Sequence, residues 1–241
     1  ELSVLTEGST VDQHDAAMSG SFLDRTLADP VGGSALPRAM NEGYNVAWVS
    51  THLDSADGVL PADYGRIMLQ RFEVPLDALG NPGAPVAAGQ NKLRDIGVGT
   101  AGEQHPDNDQ AFWVGDEANG LAGVLGRDPS VAATHGFETA VVWIEQDGLG
   151  GERVAGRAYD DLGQVIQVSG FDDISAGYGV AAGTKAHIVQ AGAVNFGVVW
   201  VTADPASPSG LSVMGTMYAP TGAGNNGQGF GFGAPSPFVL Q

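Results

Sequence analysis

Three short segments constrain this chain more than any other feature of it. "YNVAWVS" (Tyr44 to Ser50), "TAVVWIE" (Thr139 to Glu145) and "FGVVWVT" (Phe196 to Thr202) write one strand three times, with tryptophan at the fifth place in each. A large residue that recurs at one place on a recurring strand is a packing anchor, because each copy of a structural unit needs the same core residue. The flanks recur as well. One copy runs from Leu36 to Ser50 and on through Tyr64 to Gly83, a second from Pro129 to Gly148 and on through Glu152 to Ser169, and a third from Lys185 to Asp204 and on through Leu211 to Gly224. Each has an apolar stretch, a small turn, the Trp strand, a variable polar loop, a strand ending in an aromatic, and a glycine-containing turn. Gln110 to Pro129, with Trp113 as landmark, reads as a partial fourth copy.

The expected organisation is an N-terminal extension over 1–35, a β-repeat domain over 36–224 with units near 36–83, 110–128, 129–169 and 185–224, and a glycine-rich tail over 225–241. That tail is either a flexible arm or a closing segment. Thirty-seven glycines and 13 prolines leave few uninterrupted helical windows. The fold class expected is all-β, antiparallel repeats arranged as a propeller or as stacked sheets, with little helix. The exceptions are Asp12 to Ala28, where Met18, Phe22, Leu23 and Leu27 suit one helical face, and a short turn around "PADYGRIM". Alternation puts Tyr44, Val46 and Trp48 opposite Asn45 and Ala47, and separates Ile67, Leu69 and Arg71 from Met68, Gln70 and Phe72.

The pattern P-x-V-A-x-x-x-G-F-x-x-x-V-V-W followed by G-x-x-V-x-x-R-x-Y-D-x-x-G, read at Pro129 to Gly163, resembles the non-calcium β repeats of large secreted bacterial proteins of the RTX, haemolysin-type calcium-binding class. "LQRFEVPLDALGNPG" (Leu69 to Gly83) and "GRAYDDLGQ" (Gly156 to Gln164) carry the second half of the repeat. The resemblance implies export, through a type I system, and membership of a multidomain extracellular or cell-surface protein. It also implies that such a region can be joined to catalytic domains, proteases and animal-type haem peroxidases among them. The glycine-rich nonapeptide that builds the calcium roll of the class is absent in tandem, so calcium binding by that mechanism is not expected. The chain opens at Glu1 without a basic, apolar leader and reads as a mature product or an excised portion of a longer polypeptide.

A formal net charge of -18 repels nucleic acid and anionic lipid, so no nucleic-acid partner is expected. No apolar run approaches the roughly 20 residues of a membrane-spanning helix. The absence of cysteine excludes thiolate chemistry and disulfides. The five histidines (His14, His52, His105, His135 and His187) form no HExxH, and neither a nucleophile elbow nor a P-loop is present. What remains is hard oxygen: Asp107 and Asp109 in "EQHPDNDQ", Asp54 and Asp57 in "HLDSADG", and Asp172 and Asp173 in "FDDIS" are the candidate metal ligands, with calcium the cation they suit. No catalytic residue and no organic cofactor is expected. The functional expectation is a non-catalytic module acting as scaffold, adhesion surface or partner-binding region, its partner a protein or cell surface. The alternative is the accessory portion of a large exported enzyme whose catalytic residues lie outside this chain.

Overall fold

The computed structural model describes residues 13–22, 42–50, 64–74, 81, 83–84, 86–87, 112–113, 125–133, 139–146, 150–159, 165–166, 170–191, 195–218, 220–221, 231–232 and 238–240. Every regular element among them is a β-strand. The first group is β1 (Gln13–Phe22), β2 (Glu42–Ser50), β3 (Gly65–Val74), β4 (Val86–Ala87) and β5 (Phe112–Trp113). The second is β6 (Leu125–Ala133), β7 (Thr139–Gln146), β8 (Glu152–Tyr159) and β9 (Val165–Ile166). The third is β10 (His187–Gln190), β11 (Phe196–Ala203), β12 (Leu211–Tyr218), β13 (Pro220–Thr221), β14 (Gly231–Phe232) and β15 (Phe238–Leu240). All pairings are antiparallel, and a two-residue bridge, Gly65 to Gly126 and Arg66 to Leu125, joins the first two groups into one hydrogen-bonded sheet.

The repeat is real at the level of register. Trp48 pairs with Met68, Trp143 with Ala155 and Trp200 with Met214; four residues upstream, Tyr44 pairs with Phe72, Thr139 with Tyr159 and Phe196 with Tyr218. The connecting loops differ in length, yet the Trp strand and its aromatic-ended partner meet in the same register each time. Fourth strands follow the same rule. Phe112 stands opposite Leu69 and Phe238 opposite Gly215, while the Phe171 carbonyl accepts the Gly156 amide at the matching place in the second unit. Trp113 therefore belongs to the outer strand of the first unit rather than heading a unit of its own, and Leu125 to Asp128 open the second.

The segment read as an amphipathic helix, Asp12 to Ala28, instead holds β1, the first strand of the first unit. Pairing along β2 supplies hydrogen bonds that a lone helix turn could not better, and Met18, which would have lain on the helix's apolar face, is 71% exposed. β1 falls within the segment expected as an extension, and β14 and β15 fall within that expected as a tail.

The units stack through their faces. The second face of the first unit (Ala47, Val49, Ile67, Leu69) packs against the Trp143 face of the second unit with Val131, Val141, Ala155 and Tyr159. The second face of that unit (Ala140, Val142, Ile144, Val154, Ala158) in turn takes the Trp200 face of the third, with Phe196, Val198, Met214 and Tyr218. This is the stacked-sheet form of the expected architecture, and the alternation read from "GYNVAWV" and "RIMLQRF" sorts residues between these faces as expected. Close approach is made possible by glycine. A Cβ on Gly126 would stand 2.5 Å from Trp143 Cδ1, and one on Gly156 would stand 2.7 Å from the Phe171 ring, which meets Tyr218 edge-on at 4.8 Å.

Trp143 differs from its equivalents in its indole N–H, which donates to Glu145 Oε2 at 3.0 Å, whereas the buried Nε1 atoms of Trp48 and Trp200 have no partner among the described residues. Replacing Trp143 by Phe removes volume and strands part of a buried carboxylate; replacing Trp200 by Phe removes volume and an unsatisfied donor together. Urea unfolding is expected to show Trp143→Phe the more destabilising by at least about 1 kcal/mol.

Candidate functional site

The first strands of the three units converge. β1 carries a bulge in which Asp15 and Ala16 oppose Trp48, and β6 carries one in which Asp128 and Pro129 oppose Trp143. Both aspartates adopt the left-handed conformation, with φ of 53° and 49°. Short polar side chains tolerate this conformation better than most residues do, and a bulge re-aims the side chain out of the ladder. Lys185 occupies the corresponding place ahead of β10. The three positions and the residues after them (Ala16, Pro129, Ala186, then Ala17, Ser130, His187) line one cleft of about 240 Å³.

An ionic network crosses this junction. Arg127 donates through Nε to Glu152 Oε1 at 2.9 Å, through Nη2 to Glu152 Oε2 at 2.7 Å, and through Nη1 to the Thr184 carbonyl at 3.0 Å and to Asp128. Tyr64 donates its hydroxyl to Glu152 at 2.6 Å, while Lys185 pairs with Asp128 and lies 4.0 Å from Asp15. Residues of all three units are thus tied to one another. The Arg127 and Asp128 side chains are only 9% and 10% exposed, so they need these partners to be tolerated where they stand.

The electrostatics follow the contacts. The hydrogen bond from Arg127 holds Glu152 below the ordinary carboxylate range, against burial that would raise it. Burial, then the Glu152 carboxylate, pushes the Tyr64 hydroxyl up to about 12, so it remains a donor throughout the neutral range. Burial works against the charge on Arg127, but Glu152, Asp128 and Tyr64 together raise its pKa further. Asp128 raises Lys185. At the outer end of β7, burial raises Glu145 in spite of the Trp143 indole and Arg153, whose Nε donates to it at 2.6 Å.

Ser130, His187 and the two aspartates share the cleft, which invites comparison with a nucleophile, base and orienting acid. The geometry does not assemble them. Ser130 Oγ accepts the Ile188 amide at 3.2 Å, Asp128 is engaged by Arg127 and Lys185, and the His187 ring makes no hydrogen bond to either. Asp172 and Asp173 lie in the turns after Gly170, Asp172 exposed and Asp173 half-buried with its Oδ2 4.0 Å from Arg153 Nη1. Among the described residues no group of three or more His, Asp or Glu is placed to hold a metal ion. Asp54, Asp57, Asp107 and Asp109 lie outside the described residues.

No family model matches this chain, and no curated protein or solved structure does so either.

Sequence reasoning missed the junction residues. The available signal was positional: "HDAA", "RDPS" and "TKAH" each set a charged residue followed by Ala or Pro near the start of the strand that pairs with the Trp strand. It shows only when the copies are aligned on their tryptophans.

The buried Glu145 and the half-buried Glu152 should respond to pH in opposite directions. Glu152 is held below its ordinary value of 4.5, so its stabilisation is present above that value and fades as pH falls through the folded one. Glu145 is raised, so its contribution is most favourable in acid and is lost as pH climbs through its folded value. Urea unfolding between roughly pH 3 and 7 is expected to show Glu152→Gln losing about 1–3 kcal/mol at neutral pH and less of its stability on acidification than the wild type. Glu145→Gln keeps an acceptor for the indole and should cost under about 1 kcal/mol at neutral pH. Arg127→Ala, which strands Glu152 and Asp128, should cost about 3–5 kcal/mol.

Proposed function

We propose that this chain is a non-catalytic β-repeat module of a secreted or cell-surface bacterial protein, serving as scaffold and partner-binding region. The observation that carries this reading is the threefold use of one register to bury a Trp-bearing face on a neighbouring unit: packing is what the chain repeats. The polar residues at the junction fit the same reading, since Arg127, Glu152, Asp128, Lys185 and Tyr64 pair with one another and hold the units together. A catalytic group must keep a proton or lone pair available to a substrate, and these groups have theirs engaged.

Export and the multidomain setting enter through the resemblance to the β repeats of the RTX class. No helix among the described residues is long and apolar enough to cross a membrane. Calcium enters through the acidic loops, with Asp107 and Asp109 as its foremost ligands and loop carbonyls completing the six to eight oxygens the ion takes.

Two measurements test this. The purified chain is expected to show no hydrolase or oxidoreductase turnover; turnover without a companion chain would overturn the module reading. Calorimetric titration with calcium is expected to give a heat that magnesium does not reproduce, with a melting temperature that falls again on adding chelator. No heat and no thermal shift would remove calcium from the proposal.

A further inference from the structure

The strand that opens the second unit and the one that opens the third each have a bare edge, and the unit before covers it with a hydroxyl. Beyond its two-residue bridge to β3, β6 has only β7 beside it among the described residues, and β10 has only β11. On these bare edges lie the amides of Ala133 and Ile188, residues only 2% and 4% exposed. The Ala133 amide donates to Ser19 Oγ of the first unit at 3.1 Å, and the Ile188 amide donates to Ser130 Oγ of the second at 3.2 Å. Counted from the tryptophans, the two bonds obey one rule. Ala17, Ser130 and His187 each stand opposite the residue just before the Trp, and Ser19, Ala132 and Val189 stand two places further along. Each serine takes the amide one place beyond its own in the next unit. The far edge of the second unit needs no such help, since the Val154 amide donates to Ser175 Oγ at 2.9 Å and the Gly156 amide to the Phe171 carbonyl, both within that unit.

We propose that Ser19 and Ser130 are the residues by which one unit seats the next, and that the third unit, with His187 and Val189 at these two places, ends the stack. The inference rests on the scaffold reading above and gives the scaffold a length. A buried amide without an acceptor is costly, so a unit is held in place only where the strand beneath offers an oxygen in the right register. The same bonds blunt two strand edges that would otherwise be open to pairing with another chain.

Size decides where the series stops. Toward the next unit, β1 turns Ala17 and Ser19, and β6 turns Ser130 and Ala132. All four are small, and a first strand can approach close enough to bond to the hydroxyl. In β10 the same two places hold an imidazole and an isopropyl group, both exposed, with Val189 at 54%. Neither offers an oxygen, and both stand further out from the sheet than a serine does. A further repeat following this one therefore cannot join the stack by the contact that joins these three units.

Amide-resolved hydrogen exchange on the full chain tests the proposal. Ser130→Ala is expected to speed exchange at the Ile188 amide by about three- to tenfold and to leave Ala133 unchanged; Ser19→Ala should do the reverse. Ser130→His gives the second unit the residue that the third carries at that place. It is expected to unseat the third unit, so that exchange rises along β10, β11 and β12 while β2 and β3 keep their protection. The alanine variants decide the matter even where the histidine variant does not fold. Unchanged exchange at Ile188 without the Ser130 hydroxyl, a rise shared by Ala133 and Ile188 in both alanine variants, or a Ser130→His chain whose third unit stays protected would each overturn the proposal. Turnover by the purified chain would remove the module reading and leave the exchange pattern standing; a failed exchange pattern would remove this inference alone.

Discussion

The middle unit is covered on both faces, and most of the structure follows from that. β7 is buried along its whole length except at Gln146, so between Thr139 and Glu145 its residues are apolar on both faces and the usual polar alternation disappears. What replaces it is an alternation of size. One face carries the tryptophan and the aromatic end of the partner strand; the other carries Ala, Val and Gly. Two faces of that kind interlock when stacked, Trp143 against Ala47, Val49, Ile67 and Leu69 of the first unit and Phe171 edge-on to Tyr218 of the third, while within the second unit Gly126 and Gly156 leave room for the Trp143 and Phe171 rings. A Cβ on either glycine would have to displace a ring held from its far side.

Stacking of this kind creates the junction. Bringing the units together also brings their first strands together, and the bulges opposite Trp48 and Trp143 turn Asp15 and Asp128 out of their ladders toward Lys185. A carboxylate so placed, with little water about it, needs a cation. Lys185 and Arg127 supply it from the protein, and the Thr184 carbonyl takes one of the remaining guanidinium donors. The junction thus sets two cations, Arg127 and Lys185, among three carboxylates, in a chain of net charge -18.

How much of this could be read in advance varied with the length of the element. Strands of eight to ten residues, such as β2, β3, β7 and β11, carry enough pattern for their existence to be visible, and in β2 and β3 the period-two alternation shows their facing as well. The two-residue strands carry none, which is why Trp113 looked like the landmark of another unit when its backbone stands opposite Met68. β1 misled for a different reason: the spacing of Met18 and Phe22 suits a helix, and only its partner β2, distant in sequence, decides otherwise. The junction residues were hidden because their meaning lies in convergence. Asp15, Asp128 and Lys185 look like ordinary surface charges until the units are placed side by side. Asp172 and Asp173, read as oxygen ligands, sit in the turns near Arg153.

The chain separation of these contacts bears on the order in which they form. Within a unit, partners are close in sequence: Arg153 reaches Glu145 across eight residues, whereas Tyr64 reaches Glu152 across 88. Closing a long loop costs entropy before any contact repays it, so the hairpins form early and the bonds between units close late. Interactions absent from the rate-limiting barrier govern how fast a protein opens rather than how fast it folds. The ties among Tyr64, Glu152, Arg127 and Lys185 therefore act as a latch on lifetime: loosening them shortens the time the stack stays closed while leaving each hairpin as quick to form as before.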